Sequence, residues 1–202
     1  MPPFSYKTIE FEADGLYKEK GSKFLAFAFP VSNEAEVKAH LDSLRKKYFD
    51  ARHHCYAYRL GPSGQTFRAN DDGEPNHSAG DPILGQLRAK DLTNVLIVVV
   101  RYFGGVKLGV GGLISAYRAA AEDVLAKSTI IEKEITSHVT LQFDYPATPE
   151  VMRLVSDFSM TIVQQRFEER CELKLEYPAR LEGQVMSKIQ LLVALKKVLS
   201  TL

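Results

Sequence analysis

The sequence has no tryptophan, only two cysteines and almost no surplus of either charge. Cys55 and Cys171 stand far apart. A disulfide framework or a zinc site is therefore not expected, and a reducing cytosol is the expected compartment. With 26 Lys and Arg against 25 Asp and Glu, the net charge is +1. Any nucleic acid must then be held by a local basic patch rather than by the field of the whole molecule. The longest apolar run, Val95 to Val100, is far too short to span a membrane. The opening MPPFSYKTIEFE lacks a basic region followed by an apolar stretch, so no secretory signal is expected. Internal repeats and low-complexity tracts are lacking as well.

What is present is the balance of a globular protein, 45 % hydrophobic and 25 % charged over 202 residues. That length suits one domain of ordinary size and one small domain. Ile9 and Phe11 alternate with polar neighbours, and Ser22 to Phe29 does so more strongly, placing Leu25, Phe27 and Phe29 on one face of a strand. Ser32 or Asn33 can cap a helix whose first turn holds Glu34 and Glu36 and whose apolar positions are Val37, Leu41, Leu44 and Tyr48. Cys55 to Leu60 reads as a strand, and a polar loop leads from it to Asn70. Asp81-Pro82 starts a short helix. The β-branched run from Val95 to Val100 reads as a buried strand, and a long helix is expected from Leu113 to about Lys127.

The pattern changes near Glu132 to Thr136, which places a boundary between residues 1–133 and 134–202. Beyond it come a strand at Val139 to Phe143 and a helix from Thr148-Pro149, its Val151, Val155 and Phe158 facing inward. Two more strands and a helix carrying Leu181, Val185, Ile189, Leu192 and Leu195 follow. The order β-α-β-β-α is that of a ferredoxin-like domain lacking its last strand.

Two motifs hold the chemistry. The first is the loop RYFGGVKLGVGG, with Gly104, Gly105, Gly109, Gly111 and Gly112 between a buried strand and a helix. Glycines allow positive φ and close backbone approach, and free amides at a helix start suit a phosphate or carboxylate. Arg101 and Lys107 flank the loop, which makes these residues the candidate anion or RNA site. A tight connection that needs glycines for helix–sheet packing is the plain alternative, and both stay open. No Gly-Lys-Ser/Thr follows, so this is not a P-loop.

The second motif spans Asn70 to Leu84 and contains Asp71, Asp72, Gly73, Glu74, Pro75, Ser78 and Gly80. The three carboxylates could hold Mg²⁺ or act as acid and base. A turn stiffened by Pro75, with Asp side chains bonding nearby amides, is the favoured reading, and no metal or other cofactor is expected. His77 could add a ligand or carry a proton. Arg52, His53 and His54 open a strand ahead of Cys55. Adjacent strand residues point to opposite faces, so His54 is badly placed to activate the thiol. A buried cysteine with histidines near the surface is expected.

The segments DARHHCYAY (Asp50 to Tyr58), DDGEP (Asp71 to Pro75), AGDPIL (Ala79 to Leu84) and RYFGGVKLGVGGL (Arg101 to Leu113), followed by Ala116-Tyr117, together resemble the IMPACT family, including its bacterial YigZ-type members. The resemblance covers about residues 15 to 127. Two departures stand out. Asn76-His77-Ser78-Ala79-Gly80 replaces a Gly-Thr-Ala-Gly-like run, and Ser115 replaces a basic residue before the Ala-Tyr pair. The resemblance implies an α+β fold whose N-terminal domain is like the second domain of a small-subunit ribosomal protein, shared with elongation factor G domain IV and the GHMP kinases. It implies a C-terminal domain like a ferredoxin-like domain of elongation factor G. Eukaryotic members are linked to translation control through a protein partner of a stress kinase.

The expected function is a non-catalytic, cytoplasmic binding protein that contacts RNA, ribosome or a translation-related protein and regulates translation. Neither a membrane nor a specific DNA sequence is an expected partner. A Mg-dependent phosphotransferase or hydrolase using Asp71, Asp72 and Glu74, and an adaptor that binds only protein, are the alternatives.

Overall fold

The computed structural model describes residues 4–201. In chain order its elements are β1 (Ser5–Ile9), β2 (Ala13–Glu19), β3 (Ser22–Pro30), α1 (Glu34–Lys47), β4 (His53–Leu60), β5 (Thr66–Asn70), α2 (Gly80–Ala89), β6 (Val95–Tyr102) and α3 (Gly109–Lys127). Then come β7 (Ile130–Glu134), β8 (Thr136–Phe143), α4 (Thr148–Asp157), β9 (Thr161–Phe167), β10 (Cys171–Pro178), α5 (Glu182–Ala194) and β11 (Ser200–Thr201). The fold is α+β with antiparallel main sheets. Of the described residues, Tyr6–Lys133 form one compact unit, and those from Glu134 on, with Phe4 and Ser5, form another. Among the described residues, no helix is long and apolar enough to cross a membrane.

The first unit is organised around β6. Its run of β-branched residues does not alternate with polar ones because both faces are covered. Val95, Ile97 and Val99 pack with α2 and α3, whereas Leu96, Val98 and Val100 pack with α1. β6 lies at the centre of a five-stranded sheet in the order β2-β3-β6-β4-β5, and each neighbouring pair is antiparallel. β1 and β7 form a separate ribbon. Asn33 caps α1 by accepting the Glu36 amide, and Glu36 reaches back to the Ser32 amide.

In the second unit the sheet order is β11-β8-β10-β9. α4 and α5 supply Val151, Leu154, Val185, Ile189 and Leu192 to its core.

Several expectations need correction. A final strand does exist: Ser200 and Thr201 pair antiparallel with Gln142 and Leu141 of β8. Two residues are too few to show a period. Two strands go beyond the expectations: β2, and β5 in the segment expected as a polar loop; both are sheet edges, where side chains stay polar and apolar alternation fades. Phe11 lies beyond the end of β1 and is exposed. In α4 the fully buried pair is Val151 and Leu154, with Val155 and Phe158 only partly covered. Leu195 lies past the end of α5 and is exposed. Finally, α3 begins at Gly109 rather than Leu113, so Gly109, Gly111 and Gly112 occupy its first turn instead of a preceding loop.

Candidate functional site

Strand parity determines the environment of Arg101. It continues the Val95, Ile97, Val99 face of β6 at the period of two, the face that α2 and α3 cover. The side chain is therefore buried, and a buried guanidinium needs a carboxylate. Glu74, from the loop before α2, provides it: Arg101 Nη1 donates to Glu74 Oε1 at 2.6 Å, with the two side chains 7 % and 5 % exposed. The Tyr117 hydroxyl of α3 donates to the same oxygen at 2.8 Å. The Cys55 thiol of β4 lies 3.3 Å from that hydroxyl and 3.0 Å from the Asp71 carbonyl. One buried polar chain thus ties β4, the acidic loop, β6 and α3 together. Burial, foremost among the causes, pushes the Cys55 thiol and the Tyr117 hydroxyl well above their ordinary pKa, which leaves both neutral and makes Cys55 a poor nucleophile.

Arg101 was expected to flank the glycine loop as part of the anion or RNA site. Instead its side chain is almost fully enclosed and paired with Glu74. Its guanidinium packs over Phe24 and Phe103, at 5.4 and 5.6 Å from the ring centroids. Its Nε is buried without a partner among the described residues, and Glu74 accepts from Nη1.

The other carboxylates of the acidic motif face inward to local donors. Asp71 accepts the amides of His77, Ala79 and Gly80 at 2.8 to 2.9 Å, an arrangement that caps the start of α2. Gly80, read as part of a loop, is the first residue of that helix. Asp72, at a φ of 41°, accepts the His54 amide at 2.7 Å and lies 3.4 Å from Arg45. Its carbonyl meets His53 Nδ1 at 2.9 Å. Gly73 carries the turn at a φ of 86°, and Ser78 Oγ donates to the Pro75 carbonyl at 2.6 Å. Among the described residues, no three His, Cys, Asp or Glu are grouped to hold a metal ion.

His54 corrects a further expectation, because it is buried rather than near the surface. Its Nε2 has no partner among the described residues, and burial lowers its pKa from 6.5, with Asp72 opposing and Arg45 adding to the shift. The folded state therefore holds the neutral ring, whereas the unfolded chain takes up a proton below 6.5. Stability should fall as the pH drops from about 6.5 toward the lowered folded value. His54→Leu should flatten that part of a urea-denaturation series between neutral and mildly acidic pH; an unchanged slope would contradict this.

The glycine segment has two structural requirements. At Gly104 an added Cβ would lie 1.9 Å from the Gly21 carbonyl carbon, so only glycine lets this strand end meet the β2–β3 turn. Gly109 opens α3 at a φ of 71°. Gly111 has neither requirement, since a Cβ there would meet nothing within 4 Å. The amides of Gly109, Val110 and Gly111 precede the first intrahelical bond, and no side chain among the described residues caps them.

Two clefts with shared lining residues lie here, and the helix start lines the smaller of them. One, of about 650 Å³, is lined by Asp50, Arg52, His53, Arg101, Phe103 and Lys107, among others. The second, of about 320 Å³, is lined by Glu74, Pro75, Phe103, Lys107, Gly109 and Val110, among others, and again by Arg101. Arg101, Phe103 and Lys107 are common to both. Glu74 and Pro75 of the acidic motif thus share a concavity with the glycine segment. The Asp71 and Asp72 side chains are engaged elsewhere, and Asp50 accepts the Tyr102 hydroxyl at 2.7 Å. Phe103, 57 % exposed, and Tyr117 were not singled out as site residues from the sequence. For Phe103 the signal was an aromatic set next to glycines at the end of a buried strand.

Comparison with known proteins matches residues 20–125 to the Impact N-terminal domain model. The IMPACT family member YvyE of Bacillus subtilis is 30 % identical over 170 residues, covering 84 % of this chain and 78 % of its own. YigZ of Escherichia coli is 31 % identical over 172 residues, covering 84 % of each. A solved structure described as a hypothetical protein shares 30 % identity and a TM-score of 0.75, covering 93 % of this chain and 92 % of its own. With the domain match spanning more than half of its length and relatives aligned over most of the remainder, the chain belongs to the IMPACT family.

Proposed function

We propose that this chain is a non-catalytic, cytoplasmic binding protein that contacts RNA or the ribosome and thereby regulates translation. The observation that carries the reading is the uncapped start of α3, which lines one cleft with Lys107 and Arg101, while Arg52 lines a second cleft that shares Arg101, Phe103 and Lys107 with the first. Amides and cations arranged this way suit a phosphate. The link to translation comes from the family resemblance. So do the likenesses of the first unit to a small-subunit ribosomal domain and elongation factor G domain IV. For the second unit, the β-α-β-β-α-β element order supports a ferredoxin-like reading.

Catalysis by the acidic motif is disfavoured because each of its three carboxylates is already engaged in a structural contact. Asp71 caps α2, Asp72 holds the start of β4, and Glu74 neutralises Arg101. An adaptor that binds only protein is consistent with the net charge of +1 and is the competing outcome.

Arg52 and Lys107 are both exposed, so Arg52→Ala with Lys107→Ala leaves the core intact. This double variant should lose about tenfold in ribosome co-sedimentation, and its salt dependence should flatten by about one unit of log–log slope per lost contact. Wild-type levels of co-sedimentation would overturn the reading. Nuclease-resistant capture of a protein partner alone would favour the adaptor.

A further inference from the structure

The exposed ring at the centre of the site has no role in anion binding. Phe103 is 57 % exposed and stands between the two clefts, lining both. Its ring packs beside the Arg101 guanidinium, 5.6 Å from centroid to Cζ. Arg101 itself is more than nine-tenths buried, with an Nε unpartnered among the described residues, and lines both clefts. Val106 and Val110, 52 % and 53 % exposed, extend the apolar surface. This exposed ring shares one cleft with Lys107 and the start of α3, and the other with Arg52 and Lys107.

We infer that the site takes unpaired nucleotides of single-stranded RNA, with one base stacked on Phe103 and the flanking phosphates held by the amides of Gly109 to Gly111 with Lys107 and by Arg52. This rests on the anion-binding reading above and adds the substrate class. Stacking on an aromatic ring flanked by backbone-tracking cations is how proteins hold single strands with little sequence preference. A ring between two clefts accepts a base only when that base is splayed out of a helix, which a continuous duplex does not offer. Clefts of about 650 and 320 Å³ fall in the size range of small-ligand sites. With Arg101 neutralised by Glu74, Arg52 and Lys107 supply the charge that complements a phosphodiester chain, although the whole protein is nearly neutral.

The test is fluorescence anisotropy on the full chain with three labelled probes: a single-stranded uridine decamer, the same decamer with abasic sites, and a duplex. Wild type should bind the base-bearing single strand about fivefold or more tighter than either other probe. Phe103→Leu should lose that advantage, while Phe103→Tyr should keep it. An abasic or duplex probe bound as tightly as the decamer, or Phe103→Leu binding like wild type, would overturn the inference. If those results appear while Arg52→Ala with Lys107→Ala still abolishes ribosome co-sedimentation, the anion-binding reading stands and only the stacking fails. If the double variant leaves ribosome binding unchanged but the decamer still prefers Phe103, the stacking holds and the ribosomal reading fails.

Discussion

Arg101→Leu should destabilise the first unit by about 3–5 kcal/mol, because it leaves the Glu74 carboxylate buried without its counter-charge. The pair is 2.6 Å apart, and both side chains are almost fully enclosed. Tyr117 still donates to Glu74 in the variant, but one neutral hydroxyl does not replace a guanidinium. Adding Glu74→Gln should recover much of the loss, since the remaining buried group is then uncharged. Urea unfolding of the two variants reads this directly. Equal stability of Arg101→Leu and wild type would mean that the pair contributes nothing. The same expectation explains why Arg52 and Lys107 are better probes of ligand binding: removing Arg101 confounds a lost contact with a loosened fold.

Gly104→Ala is the second large effect. A methyl group there must displace the backbone of Gly21 and Ser22, which ideal geometry puts at 1.9 and 2.2 Å. Backbone has no rotamer by which to yield, so the strand end and the β2–β3 turn must separate. The Ser22 Oγ contact with the Gly104 amide, 3.1 Å long, is lost with them. The cost should be about 1–3 kcal/mol or somewhat more. Phe103, the next residue back along the chain, should move with it, so RNA affinity should fall as well. Gly111→Ala is the contrasting case. With open space around its Cβ position, alanine should stabilise α3 by about 0.5–1 kcal/mol. If that more stable variant binds RNA more weakly, Gly111 serves ligand approach rather than packing. Thermal denaturation and anisotropy on the two variants separate these roles.

Much of the framework could be read from residue order. The all-apolar strand β6 and the Asn33-capped helix α1 are strong local signals, as is the Thr148-Pro149 start of α4. β2 and β5 were not readable, because an edge strand needs no apolar alternation when solvent covers one side. β11 is two residues long and owes its existence to β8. At the site, residue types were legible but pairings were not. Arg101 looked like a loop cation, although its parity with Val99 and Ile97 already put it on the covered face of β6. Glu74 as its partner lies 27 positions away in sequence, and Tyr117 reaches the same oxygen from 43 away; no local pattern encodes such a meeting. The start of α3 was misplaced because glycines are poor helix formers, while here the first turn is built from them.

The open start of α3 can be tested residue by residue. In a ¹H–¹⁵N correlation spectrum titrated with the single-stranded uridine decamer, the amide resonances of Gly109, Val110 and Gly111 should move most, together with those of Phe103 and Lys107. Saturating binding that leaves those amides unmoved, with shifts clustered on another surface, would contradict the account.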